Sequence, residues 1–157
     1  MGNGKSFQDR FWAKIQRTET CWDWTGAINS RGYGVIKKND NLLLAHRYSY
    51  QEHKGKIPTG ISIDHVCHNK RCVNPSHLRL ATDKQNNENR SGANRNSTTG
   101  VLGVSRTQDG KMYRVQVMHN RKNYQAGPFV SIEEAERAAI VLRNSMFTHN
   151  NLDRVAM

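Results

Sequence analysis

Residues 64–78 combine two kinds of metal-binding chemistry in one short stretch. Cys67 and Cys72 are separated by four residues, and His77 follows after four more. Two thiolates and an imidazole at this spacing are typical of a structural zinc site held by a short loop. His68, directly after Cys67, is an alternative imidazole ligand. The stretch therefore predicts a loop stabilised by zinc.

A carboxylate and an imidazole, Asp64 and His65, come immediately before this loop. Cleavage of a phosphodiester requires deprotonation of a water molecule, a cation to stabilise the added negative charge, and protonation of the leaving oxygen. Asp64 suits the cation, because carboxylate oxygens are ligands for Mg²⁺. His65 suits the proton transfer, because its usual pKa is near neutrality. The alternative for His65 is a structural histidine that steadies the loop.

The order Asp-His, Cys-x4-Cys-x4-His-Leu and then an asparagine 21 residues beyond the histidine resembles the HNH (His-Me finger, ββα-metal) endonucleases. The matching positions are His65, Cys67, Cys72, Asn74, Pro75, His77, Leu78 and Asn86. Within that superfamily, the sequence is most similar to the homing endonucleases encoded by phages and introns. The resemblance implies a DNA endonuclease with His65 as the general base. It also implies Asp64 and Asn86 as ligands of one catalytic divalent cation, Mg²⁺ or similar.

The same resemblance favours His77 over His68 as a zinc ligand. The zinc-containing branch of the family takes a further cysteine from far upstream, and the remaining cysteine of this chain is Cys21. The implied structural Zn²⁺ site therefore consists of Cys21, Cys67, Cys72 and His77. The family also polarises the catalytic histidine with a backbone carbonyl, which we expect at Ile63 or Val66.

Two further assignments depend on the resemblance. Arg47 is the candidate to clamp the scissile phosphate, with an exposed structural arginine as the alternative and Arg31 as a weaker candidate. Asn86 is selected by its 21-residue spacing alone, since Asn87 and Asn89 lie nearby. On a helix, a change of one residue rotates the side chain by about 100°.

Charge favours a polyanionic partner. The 157 residues contain 24 Lys and Arg against 13 Asp and Glu, a formal net charge of +11, which favours nucleic acid as the partner. The family resemblance implies double-stranded DNA. No apolar run approaches the roughly 18 residues needed to span a membrane, so we expect no membrane partner. Three cysteines are an odd number, unsuited to a disulfide scaffold. With a polar segment at residues 1–8, they predict a cytoplasmic protein, in the host cell if a phage encodes it.

The expected fold class is α+β, with an HNH domain at residues 1–90. Apolar residues at four-residue spacing predict a helix from residue 7 to about 17. Alternating and turn-bounded segments predict strands near residues 21–26, 32–36 and 42–44, followed by a helix at 45–53 that ends at Gly55. The ββα unit then consists of strands at 61–65 and 78–81. Its helix starts at the capping box of Thr82 and Gln85 and carries Asn86 in its second turn.

A change to Gly, Asn, Ser and Thr predicts a basic flexible linker at residues 91–99, which includes Arg95. Residues 100–149 predict three strands and a helix with a capping box at Ser131, followed by a C-terminal tail at 150–157. The segments 100–104, 113–115, 127–129 and 133–135 resemble those of the AP2 DNA-binding domain. That resemblance implies a DNA-binding sheet face with contacts from Arg106, Arg114 and Gln116.

The sequence therefore favours a two-domain DNA endonuclease, with a zinc-stapled HNH domain followed by an AP2-like domain that supplies duplex affinity. The alternative is a non-catalytic, zinc-containing DNA-binding regulator. The oligomeric state, monomer or homodimer, is left open by the sequence.

Overall fold

A computed structural model of the chain describes residues 5–155. The chain forms two compact units, Met1–Asp83 and Lys84–Met157. Both contain helices and small antiparallel sheets, so the fold is α+β as expected. Among the described residues, no helix is both long and apolar enough to cross a membrane.

The first unit opens with a short helix, α1, at Phe7–Trp12. Ser6 caps it with a capping box to Asp9. The prediction that this helix continues to about residue 17 is wrong. Ile15–Arg17 is a strand, β1, which pairs antiparallel with β2 at Trp22–Trp24. The apolar spacing of Ile15 fits a helix, but the hairpin pairs Ile15 with Trp24 and packs it against the core.

The remaining elements of this unit follow the predicted order. A hairpin of β3 and β4 leads directly into α2, which ends at Gly55 with a φ of +95°, a conformation that favours glycine. A second hairpin, β5 and β6, is connected through the predicted zinc loop and a 3₁₀ turn at Pro75–His77. Helix α3 follows β6, which confirms the ββα order. The bounds are β3 Val35–Lys38, β4 Asn41–Leu44, α2 Ala45–Lys54, β5 Ser62–His65, β6 Leu78–Ala81 and α3 Asp83–Glu88.

A group of aromatic rings lies in the core of the first unit. Phe11 lies 5.1 Å from Trp24 and 4.6 Å from Tyr48, measured between ring centroids. Val73 of the predicted zinc loop packs into the same cluster and is 1% exposed. The loop is therefore fixed to the core by its own apolar residue.

The second unit contains a three-stranded antiparallel sheet in the order β7-β8-β9, with α4 packed against it. The predicted capping box of α4 joins Ser131 and Glu134, and the helix packs on the sheet through Ala135 and Ala139. The segment predicted as a tail contains a further helix, α5. Asp153 of α5 forms an ion pair with Arg143. The bounds are β7 Val104–Arg106, β8 Tyr113–His119, β9 Lys122–Phe129, α4 Ile132–Met146 and α5 Asn151–Val155.

Gly34 allows close packing of the Trp24 indole. A Cβ at residue 34 would lie 2.5 Å from Cδ1 of Trp24, a ring that is 1% exposed. We expect Gly34→Ala to lower the free energy of unfolding of the first unit by about 1–3 kcal/mol, because the core has no space for an added methyl group.

Thermal or urea unfolding followed by tryptophan fluorescence measures this effect. Gly92→Ala is the matched control, since a Cβ there meets no atom within 4 Å. Equal stability of the two variants would show that the packing around Trp24 tolerates a methyl group at residue 34.

Candidate active site

The structure brings together the four predicted zinc ligands, Cys21, Cys67, Cys72 and His77. Their ligand atoms all lie within 4.8 Å of one another. Nδ1 of His77 is 3.7 Å from Sγ of Cys21 and 3.6 Å from Sγ of Cys72. In a tetrahedral zinc site, each ligand atom lies about 2.0–2.3 Å from the metal. The separations between the His77 nitrogen and the two sulfur atoms are compatible with a metal at that distance from each of them. The group has the chemistry and spacing to bind a metal such as zinc.

Backbone hydrogen bonds hold the predicted zinc loop against strand β2. The Val73 amide donates to the Trp22 carbonyl at 2.8 Å, and the Trp24 amide donates to the Arg71 carbonyl at 2.9 Å. Cys21 immediately precedes β2, so this pairing brings it to the two loop cysteines. The distant cysteine is therefore placed by the hairpin of β1 and β2, the segment that we expected to be partly helical.

The three thiols perturb one another. The hydrogen bond between Cys67 and Cys72 lowers the pKa of Cys67 and raises the pKa of Cys72, while burial raises the pKa of Cys21. The three thiols therefore differ in how readily they lose a proton when no cation is bound. A bound cation stabilises thiolates, because the ligand form of cysteine is the deprotonated one.

His65 lies at the end of β5 and is 6% exposed. Its Nε2 is 3.1 Å from the carbonyl oxygen of Cys72. A carbonyl only accepts hydrogen bonds, so Nε2 carries the proton and the neutral ring has its lone pair on Nδ1. Burial lowers the pKa of His65, which favours this neutral form.

The carbonyl beside His65 therefore belongs to Cys72, whereas we expected Ile63 or Val66. Ile63 lies inside the paired strand β5, opposite Leu80. Cys72 belongs to the loop that folds back over the end of the strand. Its sulfur joins the thiol cluster and its carbonyl contacts the histidine, so one residue links the two predicted sites.

Asp64 is paired with Arg79. The two residues lie opposite one another in the β5–β6 register, and Nε and Nη2 of Arg79 are each 2.8 Å from Oδ2 of Asp64. Sequence reasoning missed Arg79, because the pair depends on the register of the hairpin.

Sequence reasoning also missed His46 and Tyr33. The His46 ring centroid is 4.8 Å from that of His65 and 5.2 Å from that of Tyr33. His46 is 4% exposed, and burial lowers its pKa to about 3. It is therefore a neutral ring packed against His65 at neutral pH. Its only sequence signal is its place at the start of a helix, which does not distinguish it from a core residue.

The other predicted residues have less defined surroundings. Arg47 is partly buried on α2, with Nη1 3.5 Å from the Ile61 carbonyl oxygen, whereas Arg31 is exposed. Asn86 is exposed on α3, in the part of that helix that belongs to the second unit. Its assignment as a metal ligand still rests on its spacing from His65.

The predicted DNA-binding residues of the second unit do not share one face. Arg114 and Gln116 alternate with the buried Val115 and Val117, so they lie on the exposed face of β8. Arg106 lies opposite Tyr113 on the other face, and its guanidinium carbon is 5.0 Å from the Tyr113 ring centroid.

The exposed face also contains two residues that sequence reasoning missed. Ser105 lies opposite Arg114 and Gln125 lies opposite Gln116. Arg95 is exposed in the irregular segment before the sheet.

Residues 43–88 match the family model described as HNH endonuclease. This segment includes α2, the β5–β6 hairpin, the predicted zinc loop and α3. The match supports an HNH nuclease domain in this part of the chain.

Similar proteins come from phages and a giant virus. Protein 7.7 of Escherichia phage T7 is 49% identical over 70 residues, which are 45% of this chain and 54% of that protein. Protein 2.8 of the same phage is 35% identical over 68 residues, 42% of this chain and 45% of that protein.

An uncharacterized HNH endonuclease of Acanthamoeba polyphaga mimivirus is 31% identical over 121 residues, 76% of this chain and 61% of that protein. The chain spans about half the length of the curated phage relatives that it matches. No solved structure matches it.

We expect Cys72→Ser to reduce bound zinc from about one ion per chain to near zero, because the substitution removes a thiolate from a four-ligand site. The first unit should lose its cooperative thermal transition with the metal. Elemental analysis of the purified protein and circular dichroism measure the two effects.

His68→Ala is the matched control, since His68 is the competing imidazole next to Cys67 and lies outside the Cys3His group. It should retain zinc. Zinc loss in His68→Ala with retention in Cys72→Ser would contradict the assigned ligand set.

Proposed function

We propose that the chain is a divalent-metal-dependent DNA endonuclease of the HNH type, which hydrolyses phosphodiester bonds in duplex DNA. The observation that carries the proposal is the contact between Nε2 of His65 and the Cys72 carbonyl, within the segment that matches the HNH family model. This contact fixes the tautomer that a general base requires. The phage and viral relatives support the same class.

His65 acts as the general base in this proposal. Its Nδ1 lone pair takes a proton from the attacking water as the water oxygen bonds to phosphorus, and its Nε2–H donates to the Cys72 carbonyl. The bond from phosphorus to the leaving oxygen breaks, and a proton from solvent neutralises that oxygen. The carbonyl dipole stabilises the imidazolium as it forms, because it places negative partial charge next to the ring. The neutral His46 ring beside it adds no competing positive charge.

Asp64 and Asn86 provide oxygen ligands for one divalent cation, Mg²⁺ or similar. Such a cation supplies Lewis-acid stabilisation of the phosphate's developing negative charge. Two protein ligands suit Mg²⁺, which usually retains several waters and binds substrate phosphate. Arg47 is the proposed phosphate clamp, since a guanidinium can donate two hydrogen bonds to a phosphate.

The second metal of the proposal is structural Zn²⁺ in the Cys3His group. Four protein ligands close a tetrahedral site and leave no position for water, so this ion takes no part in the reaction. It fixes the loop that carries the Cys72 carbonyl.

The second unit is proposed to bind DNA in the manner of an AP2-like domain, through the exposed face of its sheet. Arg114 and Gln116 on that face supply a cation and an amide, the groups that read phosphate and base edges. Arg95, in the preceding segment, adds phosphate affinity. The enzyme would act in the cytoplasm of the host cell.

We expect His65→Ala to lower the rate of Mg²⁺-dependent plasmid cleavage by about 10²- to 10⁴-fold, because the substitution removes the general base. Affinity for the same DNA, measured by gel shift, should remain that of the wild type. Agarose gels of supercoiled plasmid report the rate and show whether one strand or both are cut.

His53→Ala is the control for the loss of an imidazole from the same unit, since His53 is exposed on α2. It should cleave at the wild-type rate. Wild-type protein that binds its DNA but cuts none of a broad set of sequences would instead support the non-catalytic regulator.

A separate prediction concerns the sheet face. We expect Arg114→Ala to weaken DNA binding about tenfold, and to reduce the slope of log affinity against log salt by about 0.9 if the lost contact is to phosphate. Gel shifts at several salt concentrations measure both values.

Arg137→Ala removes the same charge from the exposed side of α4 and is the matched control. Equal losses in the two variants would show that net charge, and not the sheet face, determines the affinity.

A further inference from the structure

Arg79 and Asp64 form a largely buried ion pair across the β5–β6 hairpin. The side chain of Asp64 is 5% exposed and that of Arg79 is 26% exposed. Both Nε and Nη2 of Arg79 lie 2.8 Å from the same carboxylate oxygen. A carboxylate at this depth needs a positively charged partner, because burial without one is costly.

The guanidinium and a divalent cation would compete for this carboxylate. Two positive charges next to one buried carboxylate repel each other, and the repulsion is stronger in a protein interior than in water. The Arg79 side chain is 26% exposed although its Nη2 atom is buried, so a negatively charged group from solvent can approach the exposed part of this side chain. A DNA phosphate is such a group.

We propose that Arg79 is a positioning residue of the catalytic centre, which holds the Asp64 carboxylate in place and keeps its affinity for divalent cations low until DNA binds. A phosphate of the bound DNA offsets the charge of Arg79, and cation binding becomes favourable. Metal binding and DNA binding are thereby coupled, each raising the affinity for the other. This inference rests on the proposed function, in which Asp64 is a ligand of the catalytic cation.

The test measures Mn²⁺ affinity of the full-length, zinc-loaded protein by electron paramagnetic resonance, without DNA. Arg79→Met should bind Mn²⁺ about tenfold more tightly than the wild type, because it lacks the competing charge. Arg79→Lys retains a cation and should remain close to the wild type. Arg10→Met, an exposed arginine of the same unit, should leave the affinity unchanged.

Adding a DNA duplex tests the coupling. In a His65→Ala background, which keeps the duplex intact, DNA should raise Mn²⁺ affinity more in the protein with Arg79 than in Arg79→Met. Unchanged or weaker Mn²⁺ binding by Arg79→Met without DNA would overturn the proposal. So would loss of zinc and of cooperative melting in both Arg79 variants, since Arg79 would then be a folding residue.

Asp64→Asn separates this inference from the proposed function. If Asp64→Asn binds Mn²⁺ as tightly as the wild type, Asp64 is not a ligand and the proposed metal assignment fails. If Asp64→Asn loses Mn²⁺ while Arg79→Met matches the wild type, only the role of Arg79 is wrong.

Discussion

The Cys3His group joins the first hairpin to the loop between β5 and β6. Cys21 immediately precedes β2, Cys67 and Cys72 lie in the loop, and His77 immediately precedes β6. Cys21 is far from the other three residues in the chain, and the loop between β5 and β6 contains a 3₁₀ turn at Pro75–His77 but no strand or α-helix. A metal ion contributes folding free energy directly, which a small unit needs because its core buries limited apolar surface.

The same loop connects the Cys3His group to His65. Cys72 places its sulfur in the cluster and its carbonyl 3.1 Å from Nε2 of His65. A flexible loop would let the imidazole exchange tautomers and orientations, whereas a fixed acceptor selects one of each. Val73, packed among the core aromatic rings, holds the loop from its other side. The position of the His65 ring thus follows from two anchors on adjacent residues.

Much of this arrangement could be predicted from side-chain types and spacing. The three zinc ligands of the loop, the β5–β6 hairpin and the following helix all have local signatures. The Cys72 carbonyl could not be predicted, because a backbone oxygen has no sequence signature. The contact of Arg79 with Asp64 depends on the strand register, and the contact of His46 with His65 depends on the packing of α2. Ile15 continues the four-residue apolar spacing of α1, yet its pairing with Trp24 in the hairpin overrides that local pattern.

The proposed role of His65 requires that the loop carrying the Cys72 carbonyl holds the imidazole in one tautomer. Imidazole ¹⁵N NMR of His65, recorded with zinc bound and after chelation, measures that tautomer. We expect a single tautomer protonated at Nε2 in the zinc form, and averaging of the two tautomers once zinc is removed. An Nδ1-protonated ring in the zinc form, or a spectrum unchanged by chelation, would contradict this role of the loop.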